Sequence, residues 1–161
     1  MKAIGTIDSS KNFIDFEIEK PILRPHDLLI KVEAISINPV DTKVRKGIKG
    51  NLAEPKILGW DGLGTVVELG SETKLFKVGD KVFWAGDVTR SGSNAEFQAV
   101  DERIVGFAPK NLTKEKAVAM PLTSLTAYEL LFEKLEVTDE SKGKSLLIIN
   151  GAGGVGSVAI Q

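Results

Sequence analysis

The final stretch constrains the chain most. Residues 146–161 read LLIINGAGGVGSVAIQ. Four apolar residues and Asn150 run directly into Gly151-Ala152-Gly153-Gly154-Val155-Gly156. An apolar run of this length reads as a buried strand, and the small apolar residues after the glycines read as the opening of a helix. A G-x-G-x-x-G between a strand and a helix is the pattern of a dinucleotide-binding turn. Its glycines make the tight turn and let backbone approach a pyrophosphate, while the helix amides face the phosphates. Gly151, Gly153 and Gly156 hold the three fingerprint positions, with Gly154 and Val155 between them. The alternative is a glycine-rich turn at a helix start. Residues that would read the ribose, about 20 positions further on, lie beyond Gln161.

The rest of the chain is different in character. Residues 2–7 and 13–19 alternate apolar and polar, which predicts a hairpin around residues 8–12. Asp27 to Ile37 predicts a long strand, closed by Asn38-Pro39. Val40 to Lys46 suits one or two helical turns. Residues 55–64 are rich in glycine, and strands are expected at 65–69, 81–85, 95–100 and 103–107. Short strands with turn signals every ten residues or so predict a small β-barrel or sandwich. After Pro109 the pattern changes. Thr113 starts a short helix, Pro121 interrupts it, and 124–134 has helical spacing. A boundary is expected near 110–125.

Composition narrows the class of function. The 161 residues are 42% apolar and 27% charged, as in a globular protein with a real core. A net charge of −1 gives no reason to expect nucleic acid or an anionic membrane as partner. There is no cysteine, so disulfides and thiolate metal sites are excluded. No apolar run reaches the ~20 residues of a membrane span. A signal-peptide pattern is absent from MKAIGTIDSS, and a cytoplasmic location is the expectation.

Matches along the whole chain then identify it as similar to the medium-chain dehydrogenase/reductase superfamily. They are the MKA start, the strand 28–37, Asn38-Pro39-x-Asp41 with Arg45 and Gly47, LGWDGLGTV at 58–66, FKVGDKV at 76–82, AEFQAV at 95–100, PLTSLTAYELL at 121–131 and the glycine turn. The resemblance implies a mainly β fold. A chaperonin-10-like (GroES-like) barrel over residues 1–122 would be followed by the truncated start of a Rossmann α/β domain at 123–161. About half of a typical member would be absent. Zinc-dependent members carry Cys-His and Gly-His-Glu where this chain has Asn38-Pro39 and Gly59-Trp60-Asp61. Asn, Pro and Trp do not supply the ligands of a tetrahedral zinc site, and the four-cysteine structural lobe is missing. The pattern resembles the zinc-independent quinone oxidoreductase branch.

That resemblance implies NADPH as cofactor, with NADH left open, no zinc, a quinone or enone substrate, and a homodimer. Without a Lewis acid, reduction of a simple ketone loses its polarising group, whereas a quinone or conjugated enone delocalises the arriving charge itself. Asn38, Asp41 and Trp60 become the candidate catalytic residues. Asn38, Thr126, Gly151, Gly153, Gly154, Val155 and Gly156 become the candidate cofactor-binding residues. Each has a plainer reading beside it. Asn38 could simply end a strand before proline, Asp41 could start a helix, and Trp60 could be core. Thr126 could bond its own helix backbone. Arg45 could face the cleft or a surface carboxylate. Lys43 stands where the branch often has an aromatic, against substrate stacking there. His26, the one histidine, is expected on the surface. Two further functions stay open: a non-catalytic fragment with an exposed apolar tail at 145–161, and a zinc-type alcohol dehydrogenase.

Overall fold

The structure is a computed structural model that describes residues 1–8 and 12–161. Strand β1 (Lys2–Asp8) pairs antiparallel with β2 (Ile14–Glu17), with Lys2 opposite Glu17 and Gly5 opposite Ile14. This is the expected hairpin. Ser9, Ser10 and Lys11 of its connection lie outside the described residues. Strand β4 (Asn51–Ile57) takes the other side of β1, giving the order β2-β1-β4. No strand is expected there from the sequence, because Glu54 and Pro55 interrupt the apolar pattern. An edge strand tolerates proline, whose missing N–H leaves no neighbour unpaired.

A second sheet of five strands carries the core. Its order is β7 (Phe97–Asp101), β3 (Asp27–Ser36), β5 (Asp61–Leu69), β6 (Lys81–Ala85), β8 (Val105–Phe107), and every pairing is antiparallel. Alternate inward positions of these strands bring together Leu28, Ile30, Val66, Val82, Trp84 and Val100, each at most 3% exposed. The indole N–H of Trp84 donates to Gln98 Oε1 at 2.9 Å, so the largest core ring leaves no donor unmet. The two sheets join where Ala3 bridges Ala95, with the Ile4 amide on Asn94 O and the Glu96 amide on Lys2 O. The expected barrel architecture is therefore present.

Strand β5 begins at Asp61, four residues before the expected start. Glycine normally weakens a strand, yet Gly62 and Gly64 lie inside this one. A Cβ at Gly62 would fall 2.2 Å from the Trp84 ring, and one at Gly64 would fall 2.2 Å from Lys31 O. The glycines are there for close packing. The 103–107 segment is also divided: Glu102–Ile104 form one 3-10 turn, and only Val105–Phe107 are strand.

The helices are α1 (Pro39–Gly47), α2 (Lys114–Val118), α3 (Pro121–Tyr128) and α4 (Gly154–Ala159). Pro121 opens α3 rather than merely interrupting the helix before it, because at the first helical position its missing N–H is not needed. Helix α3 continues into a π-helical segment, Glu129–Lys134. Helix α2 packs Ala117 and Val118 against Leu63 of β5 and so seals one side of the barrel.

The expected strand at 146–150 is not formed. Residues 144–148 carry no regular structure and 149–152 form a turn. Leu147 and Ile149 are 84% and 86% exposed. A strand buried on both faces needs parallel neighbours and covering helices, and no other part of the described chain pairs with this segment. No helix among the described residues is long and apolar enough to cross a membrane.

Candidate functional site

Three parts of the fold converge on one cleft of about 930 Å³. The end of β3 and the start of α1 supply Asn38 and Lys43. Helix α3 supplies Thr123 and Thr126. The closing turn supplies Asn150, Gly153, Gly154, Val155 and Gly156. Six of the nine candidate residues from the cofactor and catalytic sets thus meet in one place: Asn38, Thr126, Gly153, Gly154, Val155 and Gly156. Gly151 lies just behind the turn. Its missing Cβ would meet Ile160 Cδ1 at 2.9 Å.

The glycine turn is built around two close approaches. A Cβ at Gly156 would fall 2.6 Å from Asn150 O and 2.7 Å from Gly151 Cα. This is a close approach of helix to turn, at the position where the third glycine of the pattern permits tight packing. Asn150 has φ 59, the left-handed region that asparagine tolerates better than most residues. Its carbonyl accepts the Gly153 amide at 2.9 Å, and its side chain fills the space beside Gly153, 2.8 Å from a hypothetical Cβ. Asn150 is a turn residue that the pattern of glycines alone did not single out. Its position directly before them was the available signal. The amides of Gly154, Val155 and Gly156 open α4, where a helix has no internal acceptor for them.

Asn38 and Asp41 form a capping box at the start of α1, in which Asp41 Oδ2 accepts the Asn38 amide at 2.7 Å. Both are 7% exposed. Asp41 therefore has the helix-starting role, and its side chain faces a second cavity, of about 920 Å³, rather than the cleft. Trp60 departs further from its candidate role. It is 1% exposed and lines neither space, so its ring belongs to the interior. Thr126 donates its hydroxyl to Leu122 O at 2.7 Å, the backbone bond expected of a helical threonine, while it still lines the cleft. Arg45 takes neither expected place. Its guanidinium lies 4.3 Å from the Phe13 ring centroid. His26 is near the surface, beside Glu72 at 3.2 Å.

Asp61 is the residue whose part was least legible. It is completely buried, yet its carboxylate is shared between two chain segments. Oδ2 accepts from Asn38 Nδ2 at 2.7 Å, and Oδ1 accepts from the Leu122 amide at 2.9 Å. Burial pushes this carboxyl above its ordinary value, the Asn38 and Leu122 donors pull it back, and the negative charge of Asp41 adds to the rise. This donor set does not fit a zinc ion: both carboxylate oxygens are engaged by N–H donors, and its partners Asn38 and Trp60 bring no imidazole or thiolate. Among the described residues, no three His, Cys, Asp or Glu side chains gather as metal ligands.

A GroES-like barrel that carries a glycine turn against its own cleft defines the class. Residues 24–124 match the alcohol dehydrogenase GroES-like domain, and the chain belongs to that family. It is 46% identical to a zinc-type alcohol dehydrogenase-like protein of Staphylococcus epidermidis, over 100% of this chain and 50% of that one. It is 39% identical to a chloroplastic NADPH-dependent alkenal/one oxidoreductase of Arabidopsis thaliana, over 98% of this chain and 41% of the other. A solved quinone oxidoreductase from Coxiella burnetii superposes with a TM-score of 0.82 at 32% identity, covering 99% of this chain and 52% of that structure. The chain spans about half the length of the curated relatives it matches.

Proposed function

We propose that the protein is an oxidoreductase that passes hydride from NADPH to a quinone or an activated alkene without zinc. Residues 1–122 would act as the substrate-side domain, and the cofactor-binding domain would begin at 123. The observation that carries this reading is the convergence of Asn38, Thr126 and Gly153–Gly156 on one cleft. The printed names of an alkenal/one oxidoreductase and a quinone oxidoreductase among its relatives support the substrate class, and the first of them supports NADPH.

The residues present fit such a cofactor. The turn has no side chain beyond Cα at Gly153, Gly154 and Gly156, where a Cβ would already crowd Asn150, Thr123 or Gly151. Free amides at the start of α4 suit a pyrophosphate. When bound, the nicotinamide supplies the hydride. Asn38 holds and orients the nicotinamide end or the substrate, from a backbone fixed by the capping box. Helix α3 and the apolar residues Leu122, Leu130 and Leu131 wall the cleft and keep water out. The cations that line the cleft are Lys43 and Lys134, whose ammonium groups are on flexible stems, and a quinone or enone needs no fixed cation to stabilise an alkoxide.

The test uses the full-length natural protein with NADPH against a quinone panel, an enone and a simple alcohol, with and without chelator. Quinone or enone turnover that survives chelation is the expected result. Metal-dependent alcohol oxidation with no quinone or enone turnover would overturn it.

A further inference from the structure

Asp61 touches both walls of the cleft without lining it. Its own strand, β5, pairs at that point with Ser36 of β3 and Ala85 of β6, so its backbone is fixed on two sides. Its carbonyl accepts the Ser93 hydroxyl at 2.9 Å. From this rigid base one carboxylate oxygen holds Asn38, at the start of α1. The other holds the amide of Leu122, the second residue of α3. That amide has no partner within its own helix. One turn later, the same helix carries Thr126, whose hydroxyl bonds back to Leu122 O.

The chemistry of the two acceptors decides which way Asn38 faces. A carboxylate only accepts. Asn38 must therefore turn its NH2 group inward, where a second N–H points toward Ser36 O at 3.5 Å. What remains for the cleft is the amide oxygen, Oδ1. It has two lone pairs, so one stays available even with α1's first turn beside it. We propose that Asp61 is the positioning residue of the cleft: it fixes Asn38 as a hydrogen-bond acceptor toward a hydroxyl or amide N–H of the bound molecule, and it sets helix α3, with Thr126, against that acceptor. This inference rests on the cofactor reading above for the identity of the bound molecule. Its geometric half does not.

Burial raises the Asp61 carboxyl, the Asn38 and Leu122 donors pull it back, the Asp41 charge adds to the rise, and no cation takes part. Those two N–H donors favour the accepting carboxylate, and they do so only while both oxygens face them.

The test is a reversal of donor and acceptor in the full-length protein. In Asp61→Asn, one oxygen can still take the Leu122 amide. The new NH2 then faces Asn38, which must turn over and offer its own NH2 to the cleft. The dissociation constant for NADPH should rise about tenfold, the factor expected for about 1.4 kcal/mol of lost bonding. In the exchanged pair Asn38→Asp with Asp61→Asn, donor and acceptor order is reversed but the cleft again meets an oxygen. Affinity should return to within about threefold of the parent. Equal weakening in the single and exchanged variants, or no weakening in either, would overturn the proposal. The side-chain NH2 resonances of Asn38 in the unaltered protein need no cofactor. Slow exchange, with contacts to the Leu122 amide, supports the proposal; rapid exchange with water overturns it. Failure of the parent to bind NADPH would instead sink the functional reading, and the resonances would still decide the geometry.

Discussion

Arg90 grips Asp27 with both terminal nitrogens, at 2.9 and 2.6 Å, across 63 residues of sequence. Asp27 is 1% exposed and begins β3, the strand between β7 and β5. Burial alone would raise its carboxyl, but the Arg90 fork and the Arg24 amide outweigh burial and leave it below the usual range. The polar loop that carries Arg90 is thereby tied to the barrel. Removing one partner of a buried pair strands the other charge, at about 3 kcal/mol or more. Arg90→Met should lower the unfolding free energy measured by urea titration by that amount, and adding Asp27→Asn should recover part of it. No recovery would mean that Arg90 acts through packing alone.

Glu33 gathers Lys81, Lys114 and the Thr65 hydroxyl around one carboxylate. The hydrogen bond from Lys114, then those from Lys81 and Thr65, hold it down to about 2, against 4.5 for an ordinary glutamate. A depressed folded-state value stabilises the fold above 4.5, and the gain is lost as pH falls toward 2. Both lysines are more than half exposed, so screening leaves about 1 kcal/mol. Glu33→Gln should be less stable than the parent at pH 7 and equal to it near pH 2. Melting curves across that range, at low and high salt, check both the sign and the screening.

Gly62 faces the Trp84 ring with no room for a methyl group. Gly62→Ala should cost about 1–3 kcal/mol by overpacking and shift the Trp84 fluorescence. A neutral result would mean that β5 and β6 can part without penalty.

The glycine turn carries a prediction about binding. Gly153→Val places a branched side chain against Asn150, and NADPH affinity in the full-length protein should fall at least tenfold. The chain spans about half the length of the curated relatives it matches, and titration of these 161 residues alone should show no tight NADPH binding. Submicromolar binding to it would contradict that expectation.

The β3 strand, the β1–β2 hairpin and the α1 helix were legible because their apolar periodicity and proline or asparagine boundaries are local signals. Strand β4 was not, because its place at a sheet edge excuses Glu54 and Pro55 from the usual pattern. Strand β5 was read too short because two glycines look like a loop until Trp84 is known to lie against Gly62. The 146–150 segment failed in the opposite sense. Its apolar run is a sound strand signal, but a strand also needs partners, which no local window reports. In the cleft, the glycine turn, Asn38 and Thr126 could be picked from the sequence. Trp60 could not be sorted between wall and core, and the Asp61 bonds span 23 and 61 residues of chain.

The double engagement of Asp61 sets a trade-off for any descendant of this sequence. A carboxylate that coordinates a cation must turn an oxygen toward it, and here each oxygen already restrains a different segment. Installing imidazoles at 38 and 60 would supply ligands only by freeing α3 at its first turn. Acquiring a metal and keeping the two walls aligned are therefore competing demands on one side chain, and an evolutionary or engineered route to a metal site would first have to find Leu122 another acceptor.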